Sequence, residues 1–164
     1  MQESKDMATH PSADAPVAEF AGQLFFRLWR ATHTRTAELL GSVGLTPALF
    51  ALLNVIGARE GAIQQELGSL LGIDRSTMVS LIDQLETAGL ARRRPSATDR
   101  RAREIAITPK GRRLLQEARK LISQVEDEVL GGLTAEERRR LLTLLRRALD
   151  SAPAQPLWSA AEGD

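Results

Sequence analysis

A chain of 164 residues with 43% hydrophobic and 26% charged residues is long enough to bury a core, as one compact domain or as two small lobes sharing helices. It contains no cysteine, which excludes disulfides, thiolate metal sites and thiol-based redox sensing within the chain. The formal charge is only +1, yet Arg92, Arg93, Arg94, Arg100, Arg101, Arg103, Lys110, Arg112 and Arg113 gather against Asp99 and Glu104 alone. Such a basic cluster in a balanced chain points to a polyanion bound on one face.

Residues 1–16 are polar, with two prolines and almost no large apolar groups, and predict a disordered or loosely docked arm. No apolar run approaches the roughly 20 residues needed to cross a bilayer, and the start lacks the apolar centre of a signal peptide, so a cytoplasmic location is expected. From Val17 the pattern becomes helical: Val17, Phe20, Ala21, Leu24, Leu28, Ala31 and Arg35 fall near one face, and Phe25, Phe26 and Trp29 widen it. Gly41 and Gly44 mark its end. Thr46 and Pro47 restart a helix as N-cap and first-turn proline, carrying Leu49, Leu52, Leu53 and Ile56 as far as about Ala58. A short third helix with Ile63, Leu67, Leu70 and Leu71 ends at Gly72, a left-handed cap. Asp74 then caps a fourth helix that runs to Gly89.

Residues 90–94 and 103–108 read as two short strands; in the second, Ile105 and Ile107 share one face and Glu104 and Ala106 the other. The segment between them, around Pro95, Ser96 and Asp99, has turn chemistry. A long helix follows from Thr108 and Pro109, with Leu114, Leu115, Ala118, Leu121, Ile122, Val125, Val129 and Leu130 at three–four spacing, closing at Gly131 and Gly132. Thr134 and Glu137 form a capping-box pattern for a last helix, whose apolar face is Leu141, Leu142, Leu144, Leu145, Ala148 and Leu149. Residues 150–164 read as a flexible tail.

Function is legible around the fourth helix. Taking about 100° per residue, Met78, Val79, Ile82 and Leu85 cluster toward the core, and Ser76, Thr77, Ser80, Gln84 and Thr87 lie opposite. Short polar side chains on an outward face suit a helix that enters a major groove and meets base edges or phosphates; they equally suit a solvated surface helix. The tight link at Gly72 and Ile73 favours the first reading, because a short turn between two helices is helix-turn-helix geometry. Arg75 near the helix start is placed to reach a phosphate or a guanine edge. Arg100, Arg101 and Arg103 follow the turn, where a hairpin tip reaches a minor groove whose concentrated negative potential attracts Arg, and Asp99 is spaced to orient Arg101. Arg92, Arg93 and Arg94 lie on or beside the incoming strand, some of them facing only phosphates or solvent.

The order of elements, with DRSTMVSLIDQLETAGLARRR followed by TDRRAREIAITPKGR, resembles the MarR family of winged helix-turn-helix transcriptional regulators, the wing being similar to that of its SlyA branch. The resemblance covers roughly residues 17–149 and is most specific at Asp99 and Arg101, followed by Ile107, Thr108 and Gly111. It implies a mainly α fold with a small β-wing: a winged helix-turn-helix lobe over residues 46–108, and a dimerisation lobe built from residues 17–45 and 109–149. It places the wing arginine on Arg101, its supporting acid on Asp99 and groove contacts on Ser76, Thr77 and Ser80. SlyA-like members have Arg where this chain has Ser80, so their base preference there is not carried over. Double-stranded DNA and a second copy of the chain are the implied partners, with a palindromic operator.

The residues support a homodimer independently, since the first helix and the last two are too apolar to stand alone; packing within one chain is the competing account. Phe26, Trp29 and His33 lie on one face of the first helix, and Phe50 on the second helix is placed to join them where the family's effector cleft lies. That set suits a small aromatic ligand with a polar group, or a stretch of ordinary core. The segment QQELGSLLGIDRSTMVSLIDQLE is also similar to regulators of aromatic-acid catabolism, some of which respond to aromatic acyl-CoA thioesters. The leading expectation is a ligand-released repressor, and the alternative is a constitutive or architectural DNA-binding protein without an effector. No nucleophile–base–acid set, phosphate-binding glycine loop or metal cluster is visible, so neither an enzyme nor a cofactor is expected; His10 and His33 alone make no dedicated metal site.

Overall fold

The computed structural model describes residues 20–59, 61–96 and 103–152. The elements run α1 (Ala21–Ser42), α2 (Pro47–Ala58), α3 (Gln64–Leu71), α4 (Arg75–Thr87), β1 (Ala91–Pro95), β2 (Arg103–Ile107), α5 (Pro109–Val129) and α6 (Ala135–Ser151). This is the expected order of helices and wing, and local chemistry explains most of the boundaries. Thr46 Oγ1 accepts the Leu49 N–H at 3.2 Å ahead of Pro47. Asp74 Oδ1 accepts the N–H groups of Ser76 and Thr77 at 2.9 and 3.0 Å. Thr134 and Glu137 cap each other's backbone N–H groups. Each such cap satisfies donors that the first helical turn leaves orphaned. α3 ends at Gly72 in the left-handed region, φ 65°, which a side chain resists.

β1 and β2 pair antiparallel from Ala91↔Ile107 to Pro95↔Arg103. The link between α2 and α3 adds a further edge that the sequence pattern does not announce: Ile63 bridges Glu104, and the Ile105 N–H donates to the Ala62 carbonyl at 3.0 Å. The wing root is thereby pinned to the helix-turn-helix.

The core lies where α2, α3, α4, the sheet and the start of α5 converge. Leu52, Leu53, Ile56, Leu67, Met78, Ile82, Leu85 and Ile105 are essentially fully buried there, each stabilising the fold by about 2 kcal/mol relative to exposure. One expectation fails here. Val79 does not join this core but is 37% exposed, and Leu81 is buried in its place. The helix presents its 78–81–82–85 stripe inward, rotated away from Val79.

α1 lies along α5 and touches α2, yet Phe20, Leu24, Phe25, Phe26, Leu28 and Trp29 are all exposed. α6 buries no residue at all, and Leu142, Leu144 and Leu149 stand in solvent. Arg138 of α6 pairs with Asp127 of α5, and Arg35 of α1 reaches Glu128 of α5 at 3.5 Å. Among the described residues no single helix is long and apolar enough to cross a membrane.

α4, the wing and α5 meet at one junction. The Leu90 carbonyl accepts the Thr108 N–H at 2.9 Å, and the Thr108 hydroxyl donates to the Gly89 carbonyl at 2.7 Å and accepts the Gly111 N–H at 3.0 Å. Gly111 lies so close that a methyl group there would collide with the Leu90 carbonyl oxygen and come within 2.9 Å of Ile107 Cγ1. Gly111→Ala should therefore lower unfolding stability by about 1–3 kcal/mol, the usual range for overpacking a tight site, as read by denaturant titration; Gly132→Ala, which meets open space, serves as the control.

Candidate nucleic-acid interface

α4 is held from both ends and from below. At its start Asp74 is fully engaged as a cap, and its carboxyl is held well below the usual carboxylate range, first by the Ser76 hydroxyl, then by the Thr77 side chain and the backbone N–H groups. A group whose folded pKa is depressed contributes stability above its unfolded value, and that contribution is lost as pH falls through the acid range. The start of α4 is thus charge-capped at neutral pH. At its end Lys110 Nζ donates to the Ala88 carbonyl at 2.8 Å, and a cation there complements the helix dipole.

With the 78–81–82–85 stripe turned into the core, Arg75, Ser76, Thr77, Ser80, Gln84 and Thr87 are all exposed, so the outward polar face expected from the sequence exists. Ser80 Oγ accepts Gln84 Nε2 at 3.3 Å. Arg75 and Arg103 line the same concave cleft of ≈ 910 Å³, together with Gln64, Gln65 and Ser69 of α3. The structure therefore brings one residue of the second strand to the N-terminal end of α4, and both contribute positive charge to one surface. Asp99, Arg100 and Arg101 lie outside the described residues.

Other members of the basic cluster are occupied internally. Arg93 donates to Asp83 of α4 at 2.6 Å and also pairs with Glu86; burial opposes its charge, but the two carboxylates prevail and raise its pKa. A fork joining β1 to α4 fixes the wing against the helix, a role distinct from phosphate binding. The sequence holds both partners, Asp83 and Glu86 three residues apart on one flank of α4, but not the packing of β1 that brings Arg93 to them.

Strand alternation puts Glu104 on the face of β2 opposite Ile105 and Ile107, and the structure shows that this residue too is buried, 7% exposed. Its carboxylate accepts Arg94 Nε at 3.0 Å and the Ser96 hydroxyl at 2.8 Å. The carboxylate is covered by Arg94, its register partner on β1, by Ser96, and by the backbone at Gly61 of the link between α2 and α3. Among the described residues, Glu104 is the acid that closes the wing root.

The aromatic set divides. Phe26 and Trp29 stack with centroids 6.0 Å apart, and Trp29 stacks on His33 at 4.8 Å, so three rings form a ladder along α1. Phe50 is half-buried and packs against the core. No group of three His, Cys, Asp or Glu residues able to hold a metal ion occurs among the described residues.

A polar-faced helix in a helix-turn-helix, pinned beside a two-stranded wing with arginines on the shared surface, defines a winged helix-turn-helix DNA-binding protein. The chain belongs to the MarR family. The family's model matches residues 43–102. A putative transcriptional regulatory protein for the hcr operon of Thauera aromatica is 32% identical over 131 residues, covering 77% of this chain and 79% of the relative. Among solved structures, the transcriptional repressor CouR bound to a 23-mer DNA duplex aligns with TM-score 0.73 and 31% identity, over 86% of this chain and 99% of that one. BpsR of Bordetella bronchiseptica, whose DNA binding is regulated by 6-hydroxynicotinic acid, aligns with TM-score 0.70 and 25% identity, over 84% and 99% of the two chains. A mutant MarR from E. coli complexed with operator DNA aligns with TM-score 0.67 and 26% identity, over 78% and 92%. This chain is accordingly a DNA-binding transcriptional regulator of that family.

Replacing Glu104 with Ala should loosen the wing, because Arg94 and Ser96 lose their shared acceptor. Arg94 is 46% exposed, so solvent compensates part of the loss and the expected destabilisation is about 1–2 kcal/mol. Hydrogen exchange should locate it, with the amide of Ile105 losing protection while those of α5 keep theirs.

Proposed function

We propose that the chain is a homodimeric repressor that binds a palindromic operator and is released by a small aromatic ligand. The observation that carries the DNA half is the exposed polar face of α4 beside Arg75 and Arg103. In this reading residues 46–108 form the DNA-binding lobe, with Ser76, Thr77, Ser80 and Gln84 at base edges or phosphates, Arg75 and Arg103 beside them, and Asp99, Arg100 and Arg101 at the wing tip. Residues 17–45 and 109–149 form the dimerisation lobe, and residues 1–16 and 150–164 are flanking arms.

The dimer is supported by apolar surface that one chain leaves uncovered, on the N-terminal half of α1 and along α6. Twofold pairing would bury both and set the two α4 helices about one turn of DNA apart. The repressor role follows CouR, which is described as a repressor on DNA. The effector follows BpsR, regulated by an aromatic acid, together with the stacked ladder of Phe26, Trp29 and His33 on α1. Phe50 of α2, which packs against the core, is the fourth residue of the proposed ligand set. A free aromatic acid and an aromatic acyl-CoA thioester are the two ligand classes to test.

Operator DNA recovered by selecting random duplexes on the full chain tests the DNA half. Arg101→Ala should weaken binding by about 1–3 kcal/mol with an unchanged melting temperature, and wild-type affinity should fall steeply with salt as counterions are released. A flat salt response would remove DNA as the partner.

The ligand half is read by fluorescence of Trp29 in a Trp158→Phe background. Aromatic carboxylic acids or their CoA thioesters should quench it and weaken operator binding in parallel, and Trp29→Ala should abolish the compounds' effect on operator binding while keeping operator affinity itself. If no compound in either class alters DNA binding, the constitutive reading replaces the ligand-released one.

A further inference from the structure

The face of α4 that is short and polar has one apolar exception. Val79 is 37% exposed, and it lies in a shallow concave strip of ≈ 570 Å³ with Ser76, Ser80, Asp83 and Gln84. The core beneath is closed without it, since Met78, Ile82 and Leu85 are fully buried and Leu81 nearly so. Val79 is thus not a member of the buried core.

We propose that Val79 is a specificity-determining residue that packs against the C5-methyl group of a thymine in the major groove. The inference rests on α4 being the groove-reading helix. Three features support it. Thymine is the one base of the four whose major-groove edge carries a methyl group, and apolar side chains recognise it by contact. Valine is β-branched and holds essentially one χ1 rotamer in a helix, so docking it costs little side-chain entropy. The surroundings are also prepared for a polyanion: Asp83, the acid on this strip, is paired with Arg93 at 2.6 Å, and Ser80 is joined to Gln84 at 3.3 Å, which orders the polar groups beside the valine. A thymine methyl set against Val79 would thus be flanked by hydroxyl and amide groups able to bond neighbouring base edges.

The test separates the methyl from every hydrogen bond. Duplexes are first selected from a random library on the wild-type chain, and each thymine of the recovered half-site is then replaced singly by uracil, which lacks only that methyl. At one position per half-site the substitution should weaken wild-type binding roughly fourfold, the value of one buried methyl-sized group. Val79→Ala should bind thymine and uracil duplexes equally at that position and keep the wild-type preference at all others; Val79→Ile should retain the discrimination. Equal melting temperatures would show that neither variant acts through folding.

Salt-sensitive selection of a duplex without any thymine–uracil difference, or a difference that Val79→Ala leaves intact, would overturn the role of Val79 while leaving α4 as the DNA-binding helix. Failure of the wild-type chain to select any duplex would overturn both.

Discussion

The close approach of Gly111 to the Leu90 carbonyl is the constraint on which the arrangement depends. At that point the end of α4, the start of β1, the end of β2 and the start of α5 are joined by Thr108, whose backbone and hydroxyl engage Leu90, Gly89 and Gly111 at once. Only a residue without a side chain fits between them. The end of α4, the root of the wing and the start of the long helix behind them are therefore packed directly against one another.

Internal ion pairing explains how a regulator with a near-neutral total charge can present a basic face. Part of its arginine is committed to internal structure: Arg93 clamps β1 to α4 through Asp83 and Glu86, and Arg94 closes the wing root on buried Glu104. These pairs cancel acids that would otherwise repel phosphates and leave Arg75 and Arg103 on the cleft. Positioning and binding are divided between arginines that composition alone cannot distinguish.

At the other end of the molecule, hydrophobic burial is incomplete. α6 is amphipathic in sequence yet buries nothing, and half of α1 shows its aromatics to solvent. A helix this apolar is stable only when covered, and the stacking of Phe26, Trp29 and His33 orders the rings without hiding them. The surface of the single chain is thus unfinished on the side away from the wing.

Much of this is legible in the chain itself. Caps and breakers at Thr46–Pro47, Gly72, Asp74, Thr108–Pro109 and Thr134–Glu137 set element boundaries, because they satisfy or block backbone hydrogen bonds within a few residues. The outward polar face of α4 is readable from its period, and the family from the wing motif that follows it. Three features are not: the exposure of Val79, the burial of Glu104 and the internal pairing of Arg93. A helical period gives the width of an apolar stripe but leaves its rotation open, and the packing of Leu81 against the core turns Val79 outward. Strand alternation sorts side chains between two faces without saying which face is covered, and Gly61, from a segment far earlier in the chain, lies against the Glu104 carboxylate together with Arg94 and Ser96. Local rules thus determine which elements form, whereas the contacts between distant segments decide which side chains face the core and which face DNA.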